Sequence, residues 1–339
     1  MSIATSEVSR ALYNLCVESR KDPADTGHGK RPKVIIIAGP TACGKSDFAM
    51  MLAKHMGGEI ISGDSMQVYR GLDIGTAKAT QQDRLEVPHH LIDICDVTQP
   101  ITVMDFYDVA VKAIQGVIER KAIPIVVGGS GFYLHALLYG PPAGPPPVPQ
   151  VRQLLEAELE QDGAEALYDR LKTLDPEYAQ GITRNDKHKI IRGLEIIAVT
   201  GQKVSSMPWK GRCPPHKFDF HCWFLHRPKD ILYKRIEKRC HKMIEMGFLQ
   251  EVEALEHQIR ENSAASQAIG YRQALEYLAS QRSQEDMDNF MRQFLQASRH
   301  YAKRQFTWFR REPLFRWLDV DILDFENAME LVMKDYERI

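Results

Sequence analysis

The stretch "GPTACGKS" (39–46) follows directly on the apolar run "VIIIA" (34–38) and leads into the helix-forming "KSDFAMMLAKHM". A buried strand, a glycine-rich turn and a helix in that order commit the chain to an α/β sheet, with the turn at a strand's carboxyl end. The glycines let backbone N–H groups turn inward around oxyanions, and the helix N-terminus adds the positive end of its dipole. Gly39, Pro40, Thr41, Ala42, Cys43, Gly44, Lys45 and Ser46 are therefore expected to hold phosphate groups. Lys45 would neutralise their charge, and the Ser46 hydroxyl would ligate Mg²⁺.

Further buried-strand candidates follow in "GEIIS" (58–62), "HLIDIC" (90–95) and "IPIVVGG" (123–129), separated by helical stretches such as residues 104–121. Near-continuous apolar strands alternating with helices predict a P-loop NTPase-like parallel sheet with helices on both faces. "YGPPAGPPPVP" then carries six prolines and can continue neither a helix nor a central strand. Beyond it, "VRQLLEAELEQ", "DGAEALYDRLKTL" and "NDKHKIIRGLEIIAVTG" read as helices, the last starting at an Asn-Asp cap and stopping at Gly201. "FDFHCWFLHR" (218–227) returns to strand character. The expected organisation is a mobile N-terminal extension over 1–33, a core over 34–140 and 211–339, and a small all-helical insertion over 141–210.

The 339 residues carry a net charge of −1, but 184–316 hold 25 Lys and Arg against 15 Asp and Glu. An excess of +10 there points to a polyanionic partner, or to a salt-bridged helical surface. The longest apolar runs are far too short for a membrane span, and the first 33 residues show no signal-peptide apolar region. Six cysteines without a Cys-x-x-Cys pair suggest neither disulfides nor a zinc finger. "CPPHKFDFHC" (213–222) matches no zinc spacing.

Asp64 in "SGDSMQVYRGLDIGTAK" falls just past the second strand, on the sheet edge where ligands of open α/β sheets bind. A carboxylate there can act as a general base, reach a metal through water, or merely cap a turn. "GGSGFYLHALL" (128–138) is a second glycine-rich turn that could bring Ser130 to the same edge. In "YKRIEKRCHKMIEMG", Arg235, Arg239 and Lys242 lie on one helical stripe, which suits phosphate or a solvent-facing ion-pair network. "RHYAKRQFTWFRR" interleaves basic residues with Tyr301, Phe306, Trp308 and Phe309, compatible with a nucleic-acid surface or an ordinary core. A nucleotide kinase would explain the loop and Asp64 but not the basic half. An RNA-binding ATPase would explain the charge but not the Asp64 stretch.

"GPTACGKS", "DSMQVYRGLDIGTAK", "HHLIDI", "GGSGFYL", "NDKHKIIRGLE", "RIEKRCHKMIEMG", "AIGYR" and "YAKRQFTWFR" stand in the order typical of tRNA dimethylallyltransferases (isopentenyltransferases). The chain resembles that family from 34 to 316. The resemblance implies transfer of a five-carbon isoprenoid from dimethylallyl diphosphate to the exocyclic amine of an adenosine beside the anticodon. It implies that Gly39 to Ser46 grip the diphosphate and Mg²⁺, that Asp64 is the base, and that Lys45 and Arg239 stabilise the departing diphosphate. It assigns Ser65, Met66 and Gln67, with Asp64, to the target base. It assigns tRNA contacts to Ser130, Arg152, His188, Lys189, Ile190, Ile191, Arg192, Gln267, Ala268, Ile269, Gly270, Tyr271 and Arg272. It further implies a cytoplasmic monomer acting on the tRNA anticodon arm without a membrane. Ser130 and Lys189 stand where the family usually has Thr and Arg, and Gly193 where it has Ala; a helical Gly costs about 1 kcal/mol against Ala.

Overall fold

The computed structural model describes residues 31–142, 144–207 and 217–338; the expected extension lies outside these up to residue 30, as does Cys213. The chain divides into two compact units, Met1–Leu138 with His216–Ile339, and Tyr139–Pro215.

The first unit is built on six strands: β1 (Lys33–Ala38), β2 (Gly58–Ser62), β3 (His89–His90), β4 (Ile123–Gly128), β5 (Asp219–His226) and β6 (Arg316–Asp319). They form one sheet in the order β3-β2-β4-β1-β5-β6, and every pairing is parallel. Strand β1 lies between β4 and β5, and its residues from Val34 to Ala38 are completely buried, so it has no polar face to spare. Ile35, Ile37, Ile125 and Val127 share one core with Phe48, Ala49 and Leu52 of α1 (Lys45–Met56). The register pairs Ala38 with Gly128 and Ser62 with Val127. The phosphate loop, the Asp64 turn and the Gly129 turn therefore leave the sheet side by side.

Helices α2 (Gln81–Glu86) and α3 (Val103–Glu119) both start at capping boxes, closed by Thr80 with Asp83 and by Thr102 with Asp105. Helix α4 (Gly131–Tyr139) follows β4. "HLIDIC" does not form the strand its apolar residues suggest: β3 stops at His90, with one further bridge between Tyr69 and Cys95. The reason is local, because Leu91 and Asp93 adopt positive φ values of 62° and 57°. That twist sends the Asp93 carboxylate to Lys78 Nζ and Arg84 Nη1, each at 2.7 Å.

The second unit contains α5 (Pro149–Leu174), α6 (Pro176–Gln180) and α7 (Lys187–Thr200). Gly163, at φ 82°, breaks α5 in two. The unit has its own core in Leu155, Leu167, Leu171, Ile190, Ile191 and Leu194. Gly193 belongs to that packing: a Cβ there would stand 2.8 Å from Tyr178 and 3.1 Å from Leu171. The helical cost of glycine is offset here by a close approach between helices.

After β5 the first unit continues with α8 (Lys229–Glu245), α9 (Phe248–Ala254), α10 (Glu256–Glu261), α11 (Ser263–Ser266), α12 (Tyr271–Leu278), α13 (Gln284–Phe309) and α14 (Phe325–Glu337). No helix among the described residues is long and apolar enough to cross a membrane.

Candidate active site at the phosphate loop

The loop from Gly39 to Gly44 turns because two residues accept the left-handed backbone region, Ala42 at φ 64° and Gly44 at φ 98°. Two of its carbonyls are held by arginines. Arg235 Nε donates to Ala42 O and Arg227 Nε to Cys43 O, both at 2.8 Å. Arg227 is itself paired with Asp321 and lies over the ring of Phe325, 5.9 Å from its centroid. Two of the loop's amides are engaged, Thr41 N–H with Gln305 Oε1 at 2.9 Å and Cys43 N–H with Pro40 O at 3.3 Å, which leaves those of Ala42 and Gly44 for an anion. Gly39 is needed for space, since a Cβ would stand 2.6 Å from Leu225 O.

The loop opens onto a cavity of about 840 Å³. Thr41, Ala42, Gly44, Lys45 and Ser46 line one part of it, and Arg235, Arg239 and Lys242 of α8 another. Asp64, Ser65, Met66 and Gln67 line it from the β2 turn, and Gln267, Ala268, Ile269 and Tyr271 from the segment that leads into and begins α12. Pro40 and Cys43 stand behind the lining, and Pro40 O lies 3.5 Å from Lys45 Nζ. Burial pulls the Lys45 ammonium below the usual lysine range, and Arg239 adds to the effect, while Cys43 and Asp64 oppose it. Burial likewise works against the Arg239 charge, opposed by Cys240, Asp64 and Cys43. Asp64 is thus close enough to favour the charged forms of both cations. Burial pushes the Tyr301 phenol well above its ordinary range, and Asp64 pushes it further.

The Asp64 turn is tied down by its neighbours. Asp64 Oδ1 accepts from Met66 N at 2.9 Å, and Ser130 Oγ accepts from Ser65 N at 3.1 Å. Gln67 accepts from Ser62 Oγ at 2.9 Å and donates to Thr76 O at 3.2 Å.

Two polar residues that the sequence reading passed over brace the site. Gln305 is buried on α13; its Oε1 accepts from Thr41 N at 2.9 Å and its Nε2 donates to Gly129 O at 3.0 Å. It stitches the phosphate loop to the second glycine turn. Gln305→Ala would leave that amide and carbonyl unpaired, a cost of about 1–3 kcal/mol for such a group, to be read as a fall in denaturant midpoint at unchanged slope. Glu251 collects the N–H groups of Asp73, Ile74 and Gly75 at 2.9, 2.6 and 3.2 Å, and the Tyr271 hydroxyl at 2.7 Å. It braces the 75–78 wall of the cavity.

Other expected contact residues lie elsewhere or serve the fold. Gly270 takes φ 89°, and its N–H donates to Gln273 at 2.9 Å. Arg272 is exposed and 3.8 Å from Glu276. In the second unit Ile190 and Ile191 are buried in the core. Arg192 is engaged with Glu195 at 2.8 Å and Pro145 O at 2.5 Å. His188 and Lys189 are exposed, and Arg152 lies 3.4 Å from Glu156.

Fold and site together define a P-loop α/β protein whose anion cradle shares one cavity with a carboxylate. A family model described as IPP transferase matches residues 67–312. The chain is 57% identical over 337 residues to a tRNA dimethylallyltransferase of Protochlamydia amoebophila, covering 99% of this chain and 98% of the relative. It is 48% identical over 306 residues to the tRNA dimethylallyltransferase of Chlamydia pneumoniae, covering 89% of each. Among solved structures, a full-length tRNA isopentenylpyrophosphate transferase of Bacillus halodurans matches with TM-score 0.64 at 36% identity, over 90% of this chain and 98% of that one. A eukaryotic dimethylallyltransferase acting on tRNA matches with TM-score 0.73 at 28% identity, over 90% of this chain and 77% of that one. The chain belongs to the tRNA dimethylallyltransferase family and is a transferase.

Proposed function

We propose that the protein transfers the dimethylallyl group of dimethylallyl diphosphate to the N6 amine of an adenosine beside the anticodon of tRNA, releasing diphosphate. The observation that carries the reading is the single cavity in which Asp64 faces the cations of the phosphate loop and α8. An adenine amine is a poor nucleophile, because its lone pair is delocalised into the ring. Transfer therefore needs a base at the amine and a stabilised anion at the leaving group. The amine nitrogen forms a bond to C1 of the dimethylallyl group as the C1–O bond breaks and its electron pair leaves with the diphosphate. The N–H proton passes to Asp64, while Lys45, Arg239 and the loop amides hold the diphosphate oxygens. Ser65, Met66 and Gln67 hold the target base, which must leave its stack to enter.

Among the described residues no three His, Cys, Asp or Glu side chains gather as a metal cage. Oxygen donors on the cavity wall include the Ser46 and Thr41 hydroxyls and the Asp64 carboxylate, a set that suits Mg²⁺, which keeps several waters and takes phosphate oxygens from its substrate. Ser46 would hold the ion, and Mg²⁺ when bound neutralises diphosphate charge.

The anticodon arm is bound by the basic half of the chain, with His188, Lys189, Arg152, Gln267 and Arg272 as candidate contacts. Membership of the family further suggests that the protein works as a monomer, and in the cytoplasm, where tRNA is found. Labelled dimethylallyl diphosphate or ATP, with and without tRNA, tests the function: label entering tRNA only from the isoprenoid supports it, and tRNA-independent ATP turnover overturns it.

Salt separates the two substrates. Log affinity for tRNA should fall against log salt by roughly 0.7–0.9 per phosphate neutralised, with much less effect on dimethylallyl diphosphate. Lys303→Gln on α13 and Arg310→Gln just past its end, both at exposed positions, should each flatten that slope by up to about one. Arg299, on the same helix, is tied instead to Glu237 at 3.3 Å and to the Tyr233 ring, so its replacement should lower the melting temperature more than the slope.

A further inference from the structure

Two exposed aromatic side chains stand together outside the cavity. Trp308 is 39% exposed and Phe132 47% exposed, with ring centroids 6.4 Å apart at an interplanar angle of 77°. His135 makes a second edge-on contact with the same indole, at 6.3 Å and 87°, and its Nδ1 lies 2.8 Å from the buried Glu312 carboxylate. A Cβ on Gly131 would stand 2.6 Å from both Cγ and Nε1 of Trp308 and overlap Cδ1 as well. Near-equal approach to atoms around the pyrrole ring puts the Gly131 backbone under one face of the indole. Phe132 and His135 pack against the indole at steep angles. With Gly131 against one face, the opposite face is the one left for a base to stack on.

The position of that face is telling. Trp308 lies one turn along α13 from Arg304, which lines the cavity, and the Gln305 between them clamps Thr41 and Gly129. Ser130, next to Gly131, holds the Ser65 amide beside Asp64. Lys303, Arg304 and Arg311, close by in the chain, are exposed cations. An exposed aromatic side chain with basic neighbours in sequence, next to a base-accepting cavity, has the chemistry of a single-stranded RNA contact.

We propose that Trp308 is a stacking platform for the nucleotide adjacent to the modified adenosine, with Gly131, Phe132 and His135 fixing its pose. The inference rests on the functional reading above. When the target base is extruded its neighbour loses a stacking partner, and the indole replaces it.

The test uses the full chain with anticodon stem-loop RNAs, one intact and two abasic at the nucleotide on either side of the target adenosine. Trp308→Leu keeps an apolar side chain without a stacking face; Trp308→Phe keeps a face. For the intact stem-loop, Trp308→Leu should weaken binding about tenfold, within the range of a base–aromatic stack, and Trp308→Phe by no more than about threefold. Dimethylallyl diphosphate binding should be unchanged in both. With one of the two abasic RNAs the wild type should lose a similar factor, and Trp308→Leu nothing further. Additive losses with both abasic RNAs, or wild-type binding by Trp308→Leu, would overturn the platform while leaving transfer by the wild type intact. Failure of the wild type to prenylate the intact stem-loop would overturn the functional reading, and the platform with it.

Discussion

Asp64→Asn should slow single-turnover transfer by about 10²–10⁴-fold, the usual contribution of a general base, with dimethylallyl diphosphate affinity nearly unchanged. Asparagine keeps the size and the oxygen that accepts from Met66 N at 2.9 Å, so the turn survives the exchange. What it loses is the ability to take a proton from the adenine amine. A loss of less than about tenfold at neutral pH would exclude Asp64 as the base on that scale.

Arg239→Gln should lower the transfer rate by about 10²–10³-fold, the scale of removing one preorganised donor from a developing anion. The loss should fall on kcat more than on KM for dimethylallyl diphosphate, because the charge on the bridging oxygen grows only as the bond breaks. An equal rise in KM with kcat unchanged would reduce Arg239 to ground-state binding. Lys45 adds a pH signature. Burial holds its pKa below the ordinary lysine range, so its charge, and the contribution that depends on it, is lost as pH rises through that lowered value. The alkaline limb of kcat/KM should therefore lie below the usual lysine pKa, and Lys45→Arg should move it upward, measured over a pH series at subsaturating isoprenoid.

What the sequence revealed and what it hid divide along a physical line. The phosphate loop, the turn after β2 and the parallel strands depend on local spacing, and each could be read from a dozen contiguous residues. "HLIDIC" misled because apolar composition says nothing of Leu91 and Asp93 taking positive φ to serve Lys78 and Arg84. Strand β6 went unread, being four residues with one buried side chain. Gln305 and Glu251 were invisible for another reason: their partners lie 176 to 264 and 176 to 178 residues away in the chain, apart from the nearer Tyr271. In "RHYAKRQFTWFRR" the glutamine between basic residues was the available hint, a polar side chain on the stripe that includes buried Ala302 and Phe309. The burial of Ile190 and Ile191 was legible in their spacing to Leu194 on the same helix.

The arginine that grips the phosphate loop has a bearing on how the protein is made. Cys43 O is held by Arg227, 184 residues later, and Arg227 by Asp321, a further 94 residues on. During synthesis the loop leaves the ribosome early, but its Cys43 carbonyl has no clamp until Arg227 emerges after β5, and the clamp has no anchor until the turn after β6 follows. A nascent chain stalled before Asp321 would carry the whole glycine motif and still lack a set cradle. The cradle thus depends on a chain of contacts that closes only once residue 321 has been made.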